Sequence, residues 1–320
     1  VTQRRYAVIG TGAVGGFYGA RLAASGHEVH FLARSDAEVL RREGLRVESV
    51  DGDITLPEVS VCTDPADLPA VDVVLVTVKT TANGSLGRLL GPLDDPARIV
   101  VAMQNGLGVD DQAAAAAPAA TVLGGLCFVC ATRERPGFVR HLDFGAVSLG
   151  ERTSDGSAAG ITAAVEAVGA DLAAAGIEVR DRPDLLAARW QKLMWNMPYN
   201  GLSVVLDAGT DQLQADPFSR ALVTRLMREV EAASEAIAHP VGDGFVDQML
   251  EYTDRMTPYA PSMKLDHEAG RPMELAAIYD EPLRVAAAAG APMHELTALA
   301  DQLHFLDGDR GQSAAERTVP

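Results

Sequence analysis

The sequence predicts an α/β domain with a largely parallel sheet over residues 1–183, followed by an all-α domain over residues 184–320. Three observations carry that expectation. Before Pro183, short β-branched runs alternate with helix-patterned stretches, the order that builds strand–helix–strand units. A glycine-rich turn, Gly10-Thr11-Gly12-Ala13-Val14-Gly15, separates the first such run from the first helical stretch. After Pro183 the apolar residues fall at helical spacing and strand alternation stops.

Each element follows from its own pattern. Residues 6–9 form a short apolar run, and residues 14–24 a helical stretch closed by Gly26 just past its end. Residues 29–33 read as a second strand, which completes a unit of βαβ length. Residues 45–50 and 54–61 read as a hairpin turning at Asp51-Gly52-Asp53. The runs 71–78, 99–103 and 122–131 are nearly continuous apolar stretches, suited to central strands buried on both faces. Helical stretches lie between them at 85–90 and 109–117, and residues 138–149 alternate in places like an edge strand. Beyond Pro183, residues 184–206, 217–238, 244–255, 274–289 and 293–306 read as helices, with Phe218, Leu222, Leu226 and Val230 as one apolar stripe. Residues 308–320 read as a loose polar tail.

Composition narrows the class. A chain of 320 residues, 48% hydrophobic, can bury a core in each of two domains. Only 5% of residues are aromatic and alanine is abundant, which favours closely packed helices over an all-β sandwich. A net charge of −17 repels nucleic-acid phosphates and anionic membrane surfaces, so neither is an expected partner. The cysteines are Cys62, Cys127 and Cys130; an odd count suits a reducing cytoplasm. Cys127 and Cys130 are spaced C-x-x-C, but in a strand-like run with no second Cys/His pair nearby, so they read as buried apolar thiols and no metal is expected. No apolar run reaches the ~18 residues of a membrane span, and no signal-peptide pattern opens the sequence.

The glycine turn has chemical meaning in its context of strand before and helix after. The first glycine permits a tight turn, the second lets backbone approach a pyrophosphate, and the third lets the helix pack on the sheet. Amides at the helix N-terminus then meet the phosphate charge. Gly10, Thr11, Gly12, Ala13, Val14 and Gly15 are therefore candidate dinucleotide contacts. The fold class is an α/β Rossmann-type N-terminal domain plus an all-α C-terminal domain. After the second strand stands Arg34, where an NAD site usually carries an acid that accepts from the ribose hydroxyls. A guanidinium instead pairs with a 2′-phosphate, so NADPH is the expected cofactor. Asp36 is the competing acid, two residues further on.

More polar residues follow strand ends, where open α/β sheets bind ligands: Lys79 after one apolar run and Asn105 after the next. In the second half, Lys192, Asn196 and Asn200 are spaced i, i+4, i+8, along one face of a continuous helix. Ser262-Met-Lys264-Leu-Asp266 then precedes Gly270-Arg-Pro-Met-Glu274.

Over nearly its whole length the sequence resembles the ketopantoate reductases (2-dehydropantoate 2-reductases). The resemblance rests on the glycine turn, Arg34, Val78-Lys79, Asn105-Gly106, W-x-K-L-x-x-N at 190–196 and S-M-x-x-D-x-x-x-G-R-x-x-E at 262–274. It implies that the glycine turn, Arg34 and Lys79 hold NADPH, with Asn105 near the nicotinamide and Glu274 near cofactor and substrate. It implies that Lys192 is the catalytic lysine and that Lys192, Asn196, Asn200 and Ser262 contact the substrate. The implied reaction is reduction of a small branched 2-oxo acid, 2-dehydropantoate to pantoate, in pantothenate biosynthesis. No histidine stands at a defined position of these motifs, His267 falling at a variable one, so Lys192 is the expected proton donor.

Three departures from the family pattern surround the substrate. A further substrate-contacting asparagine is Thr210 here. The pattern E-x-D-x-x-N-G is Glu274-Leu-Ala-Ala-Ile-Tyr279-Asp280. Pro198 interrupts the helix between the two asparagines, where a kink would re-aim Asn200. These keep open a relative acting on another 2-oxo acid or an imine, and a non-catalytic NADPH-binding sensor. The sequence is also compatible with a homodimer.

Overall fold

The alternating runs of the first half form a ten-stranded mixed sheet in the computed structural model, which describes residues 3–258 and 260–316. The strands are β1 (Arg5–Ile9), β2 (Glu28–Leu32), β3 (Leu45–Ser49), β4 (Ile54–Leu56), β5 (Ser60–Cys62), β6 (Val73–Val76), β7 (Ile99–Ala102), β8 (Thr121–Arg135), β9 (Phe138–Glu151) and β10 (Val179–Asp181). Their order is β4-β3-β9-β8-β7-β6-β1-β2-β5, with β10 added on β9. From β5 to β8 every pairing is parallel, and β1 and β6 lie inside this group. Loops at the carboxyl ends of β1, β2, β6 and β7 therefore open on the same edge of the sheet.

Helices of this half are α1 (Ala13–Ala24), α2 (Ala37–Glu43), α3 (Leu86–Leu90), α4 (Val109–Ala116) and α5 (Ala163–Ala174). Small residues let α1 sit close: a Cβ at Gly16 would come within 2.7 Å of Val139, and one at Gly19 within 2.5 Å of Phe31. Helix α5 is tied under β1 by the buried Asp171, which accepts from Arg4 Nη1 at 2.8 Å and from the Tyr6 hydroxyl at 2.6 Å. Tyr6, Val8, Phe17, Phe31, Val73 and Leu123 fill the core between these layers.

Several expectations change. The strand expected over 54–61 is two strands, because Pro57 cannot donate to a ladder; β4 pairs antiparallel with β3, whereas β5 pairs parallel with β2. β9 is no edge strand: it pairs with β8 along one side, and with β3 and β10 along the other. It carries a bulge at Phe144-Gly145, both at positive φ. Helices α2 and α5 and strand β10 lie outside the sequence expectation. Cys127 and Cys130 are both buried on β8. Burial, with Asp143 nearby, pushes the Cys130 thiol up to about 12, so it stays protonated at neutral pH.

The second half holds α6 (Leu185–Val205), α7 (Thr210–Ala215), α8 (Pro217–Ala236), α9 (Phe245–Asp254), α10 (Ser262–Glu268), α11 (Glu281–Ala288) and α12 (His294–Glu316). α7 and α10 are short and carry weak periodicity, which hid them from the sequence. The stretch expected as one helix over 274–289 instead opens with a π turn, Ala276–Asp280, before α11. Residues 308–316 continue α12 rather than forming a tail; residues 317–320 lie outside the described residues. Trp190, Met194, Met197, Leu226, Val230, Ile278, Tyr279 and Leu299 are among the residues of this core. Among the described residues no helix is long and apolar enough to cross a membrane.

The chain packs as two units, residues 1–105 with 109–185, and residues 106–108 with 186–320. The short segment Gly106–Gly108 thus follows β7 in sequence yet belongs to the second unit, where the Leu107 amide donates to the Ala277 carbonyl at 2.8 Å.

Candidate functional site

In the first unit, the glycine turn leaves β1 and enters α1. Gly10 sits at φ +104°, a left-handed conformation that a side chain would strain, and its amide donates to the Leu32 carbonyl at 3.1 Å. A Cβ at Gly15 would overlap the Gly10 carbonyl oxygen and the Thr77 hydroxyl, so only glycine closes the turn this tightly. At Gly12, by contrast, a Cβ would meet nothing within 4 Å, which marks the open side of the turn. Gly12 caps α1 without a side-chain hydrogen bond, and residues 11–14 are half-buried. The first amides of a twelve-residue helix therefore stay accessible, with the helix's positive end behind them.

Thr77 went unnoticed in the sequence. Its hydroxyl lies 2.7 Å from the Gly10 carbonyl and 3.0 Å from that of Ile9, and it braces the turn from the end of β6. A threonine at the close of an apolar strand beside a glycine turn was the available signal.

Arg34 and Asp36 separate cleanly. Arg34 is exposed just beyond β2 and forms no ion pair or hydrogen bond with another described residue. Asp36 is buried at the start of α2, where its carboxylate accepts from the Ser35 hydroxyl at 2.9 Å and pairs with Arg133 of β8. The competing acid is thus occupied inside the fold, and Arg34 is the charge presented to solvent. Lys79 is exposed after β6, and Asn105 is half-buried after β7. Next to Asn105, Gln104 donates to the Val78 carbonyl at 2.8 Å and to Asn83 at 2.6 Å, joining the ends of β6 and β7.

In the second unit, α6 is pinned along one row. Gln191 donates to the Val241 carbonyl at 2.8 Å, Trp195 donates to Thr253 at 3.1 Å, and Tyr199 stacks on Trp195 with ring centroids 5.0 Å apart. The neighbouring row, one residue on and about 100° round the helix, is Lys192, Asn196 and Asn200. All three are buried, at 6%, 7% and 2% exposure. Neither asparagine side chain forms a hydrogen bond with another described residue. Helix α6 runs on through Pro198 instead of ending there.

Ser262 is the first residue of α10 and is half-buried. The rest of its segment is structural: the buried Asp266 accepts from Arg271 Nε at 2.9 Å across a turn with Gly270 at φ +66°. Lys264 pairs with Asp207 and, at 3.0 Å, with Glu268; burial lowers its pKa, but these partners raise it further, leaving it raised. Glu274 is buried, two residues before the π turn, and its carbonyl accepts from the Ile278 amide at 3.1 Å. Thr210, the replaced asparagine, is buried as the first residue of α7.

Two family descriptions match the chain: Ketopantoate reductase PanE/ApbA over residues 6–154, and its C-terminal counterpart over residues 184–307. A 2-dehydropantoate 2-reductase of Nostoc sp. is 46% identical over 96% of this chain and 97% of its own. Among solved structures, a 2-dehydropantoate 2-reductase from Geobacter metallireducens superposes with a TM-score of 0.88 at 40% identity, covering 95% of this chain and 99% of that one. One from Methylococcus capsulatus gives 0.86 at 32% identity, covering 96% and 97%. With both halves matched and the likeness spanning almost the full chain, this protein belongs to the ketopantoate reductase family.

Proposed function

We propose that this chain reduces a small branched 2-oxo acid with NADPH, and that 2-dehydropantoate, converted to pantoate, is that acid. The observation that carries the reading is the row on α6: a buried lysine followed by two buried asparagines whose side chains form no hydrogen bond with another described residue. Burying such asparagine amides is costly unless a ligand completes them.

The residues of the first unit fit the dinucleotide. The α1 amides at Gly12, Ala13 and Val14 would take the pyrophosphate, with Gly10, Thr11 and Gly15 shaping the turn. Arg34 would take the 2′-phosphate, and Lys79 and Asn105 would lie along the rest of the cofactor. When bound, NADPH supplies the hydride. The carbonyl π bond breaks as a C–H bond forms at carbon, and the oxygen must gain a proton. Lys192 donates that proton, and its ammonium stabilises the developing alkoxide. Asn196 and Asn200 orient the carbonyl and hydroxyl groups through amides that carry no charge of their own, and Ser262 donates to the carboxylate. Glu274 accepts from a substrate hydroxyl or the cofactor ribose. Neither unit alone carries both the glycine turn and Lys192, so turnover requires the whole chain.

Thr210 and Tyr279 favour a second reading, a reductase of another 2-oxo acid or an imine on the same machinery. Retention of Lys192 argues against a non-catalytic sensor. The cytoplasm is the compartment that suits three cysteines with no disulfide among them, and a homodimer is the assembly to test by light scattering. Steady-state NADPH oxidation over a panel of 2-oxo acids tests the function. Turnover with branched acids, faster with NADPH than with NADH, is expected. Failure to oxidise NADPH with every acid would overturn it.

A further inference from the structure

Pro198 leaves a gap in α6. Lacking an N–H, it cannot donate to the Met194 carbonyl four residues back, and the gap falls between Asn196 and Asn200. The structure supplies a brace at that point from another element. The hydroxyl of Tyr279, on the π turn Ala276–Asp280, donates to the Met197 carbonyl at 2.6 Å. Gly201, one turn on from Met197, lies against the same phenol oxygen. Gly201 makes room for it: a Cβ there would stand 2.5 Å from the Tyr279 oxygen and 2.7 Å from Leu299. Tyr279 is fully buried, and burial pushes its phenol far above the usual tyrosine range, so it stays a neutral donor.

The π turn reaches in two further directions. It begins two residues after Glu274, and its Ala277 carbonyl accepts from Leu107 in the segment that follows Asn105. A Cβ at Gly106 would lie 2.6 Å from the Ala277 Cβ, so that segment is seated closely on the turn. An extra residue in a helical turn rotates every side chain after it, and such turns recur at functional sites. Here the rotation delivers Tyr279 into the interrupted part of α6.

We infer that Tyr279 is a positioning residue for substrate binding: its hydroxyl, wedged against Met197 and Gly201, sets the pitch of α6 across Pro198 and so aims Asn200 relative to Asn196 and Lys192. This rests on the proposed 2-oxo acid reduction for its kinetic consequence, but not for its structural one. Tyr279 touches none of the reacting atoms; it acts through Asn200. The pairing of proline in one helix with tyrosine in the other makes the phenol a replacement for the missing rigidity of the ladder.

Tyr279→Phe removes the hydroxyl and keeps the ring. Expected are a KM for the 2-oxo acid raised about tenfold, the scale of one lost buried hydrogen bond, with kcat within about threefold and the NADPH Kd unchanged. In a Pro198→Ala background the ladder donor is restored, and the same substitution should raise KM by less than about threefold. A lowered Tm with KM unmoved in both backgrounds would make Tyr279 merely structural and overturn the inference, as would an equal KM rise in both. A second measurement needs no substrate: the side-chain amide NMR signals of Asn200 should shift in Tyr279→Phe, and unmoved signals would overturn the inference. If the wild-type protein turns over no 2-oxo acid, the proposed function fails, while the Asn200 signals still decide the role of Tyr279.

Discussion

The glycine turn of the first unit and the α6 row of the second are the two proposed ligand sites, and they are built by different means. The turn is made of backbone. Its geometry comes from Gly10 at φ +104°, from the absent Cβ of Gly15, and from amides at the start of α1. The α6 row is made of side chains, and its alignment depends on contacts far along the chain, above all that of Tyr279 with Met197. A site made of backbone is fixed by a few local residues. A site made of side chains on a helix that lacks one ladder bond is fixed by whatever braces the helix. The two should therefore fail in different ways when perturbed.

The largest effect is expected on the side-chain site. Lys192→Ala should lower kcat by about the 10²–10⁴-fold of a lost general acid, measured by NADPH oxidation. Turnover within a few-fold of wild type would mean that water or another group donates the proton. Next, Gly15→Ala sets a methyl group against the Gly10 carbonyl, a backbone atom that no rotamer change can move aside. NADPH binding should weaken roughly tenfold or more, about 1.4 kcal/mol, in a fluorescence titration; unchanged affinity would show that the turn is looser than its contacts imply. Gly201→Ala crowds Tyr279 and Leu299, and overpacking of this kind costs about 1–3 kcal/mol, read as a lower urea midpoint with NADPH affinity retained. The smallest effect belongs to Thr77→Val, which removes the hydroxyl beside the Ile9 and Gly10 carbonyls. A loss of about 1 kcal/mol in stability, with a few-fold weaker NADPH binding, is expected. If Thr77→Val lowered kcat and left cofactor affinity alone, its brace would serve the chemistry instead of the turn.

The same contrast explains what could be read from the sequence. The glycine turn was legible because its requirements are local: strand, three glycines at fixed spacing, helix. Arg34 stood out by its position, but only the structure shows that Asp36 is buried and paired, since its partner Arg133 is nearly a hundred residues away on β8. In the second unit, helical spacing was enough to align Lys192, Asn196 and Asn200, and the continuity of α6 through Pro198 was not. The sequence marked Pro198 as a kink and Tyr279 as a departure, without linking them, because the π turn that joins them has no periodic signature. The strand arrangement shows the same limit. Runs of β-branched residues located β6, β7 and β8, whereas the parallel pairing of β9 with β3 before the Phe144-Gly145 bulge and with β10 after it is a matter of long-range register.

The central claim is a division of labour, with cofactor affinity residing in the first unit and proton donation in the second. It is tested most directly by one titration, the NADPH dissociation constant of wild type, Lys192→Ala and Arg34→Ala side by side, with NADH as the control. The account predicts that Lys192→Ala binds NADPH as wild type does. It predicts that Arg34→Ala binds NADPH about 10- to 100-fold more weakly, the range for hydrogen bonds to a charged group, with NADH affinity little changed. Weakened NADPH binding in Lys192→Ala, or equal loss of both cofactors in Arg34→Ala, would contradict it.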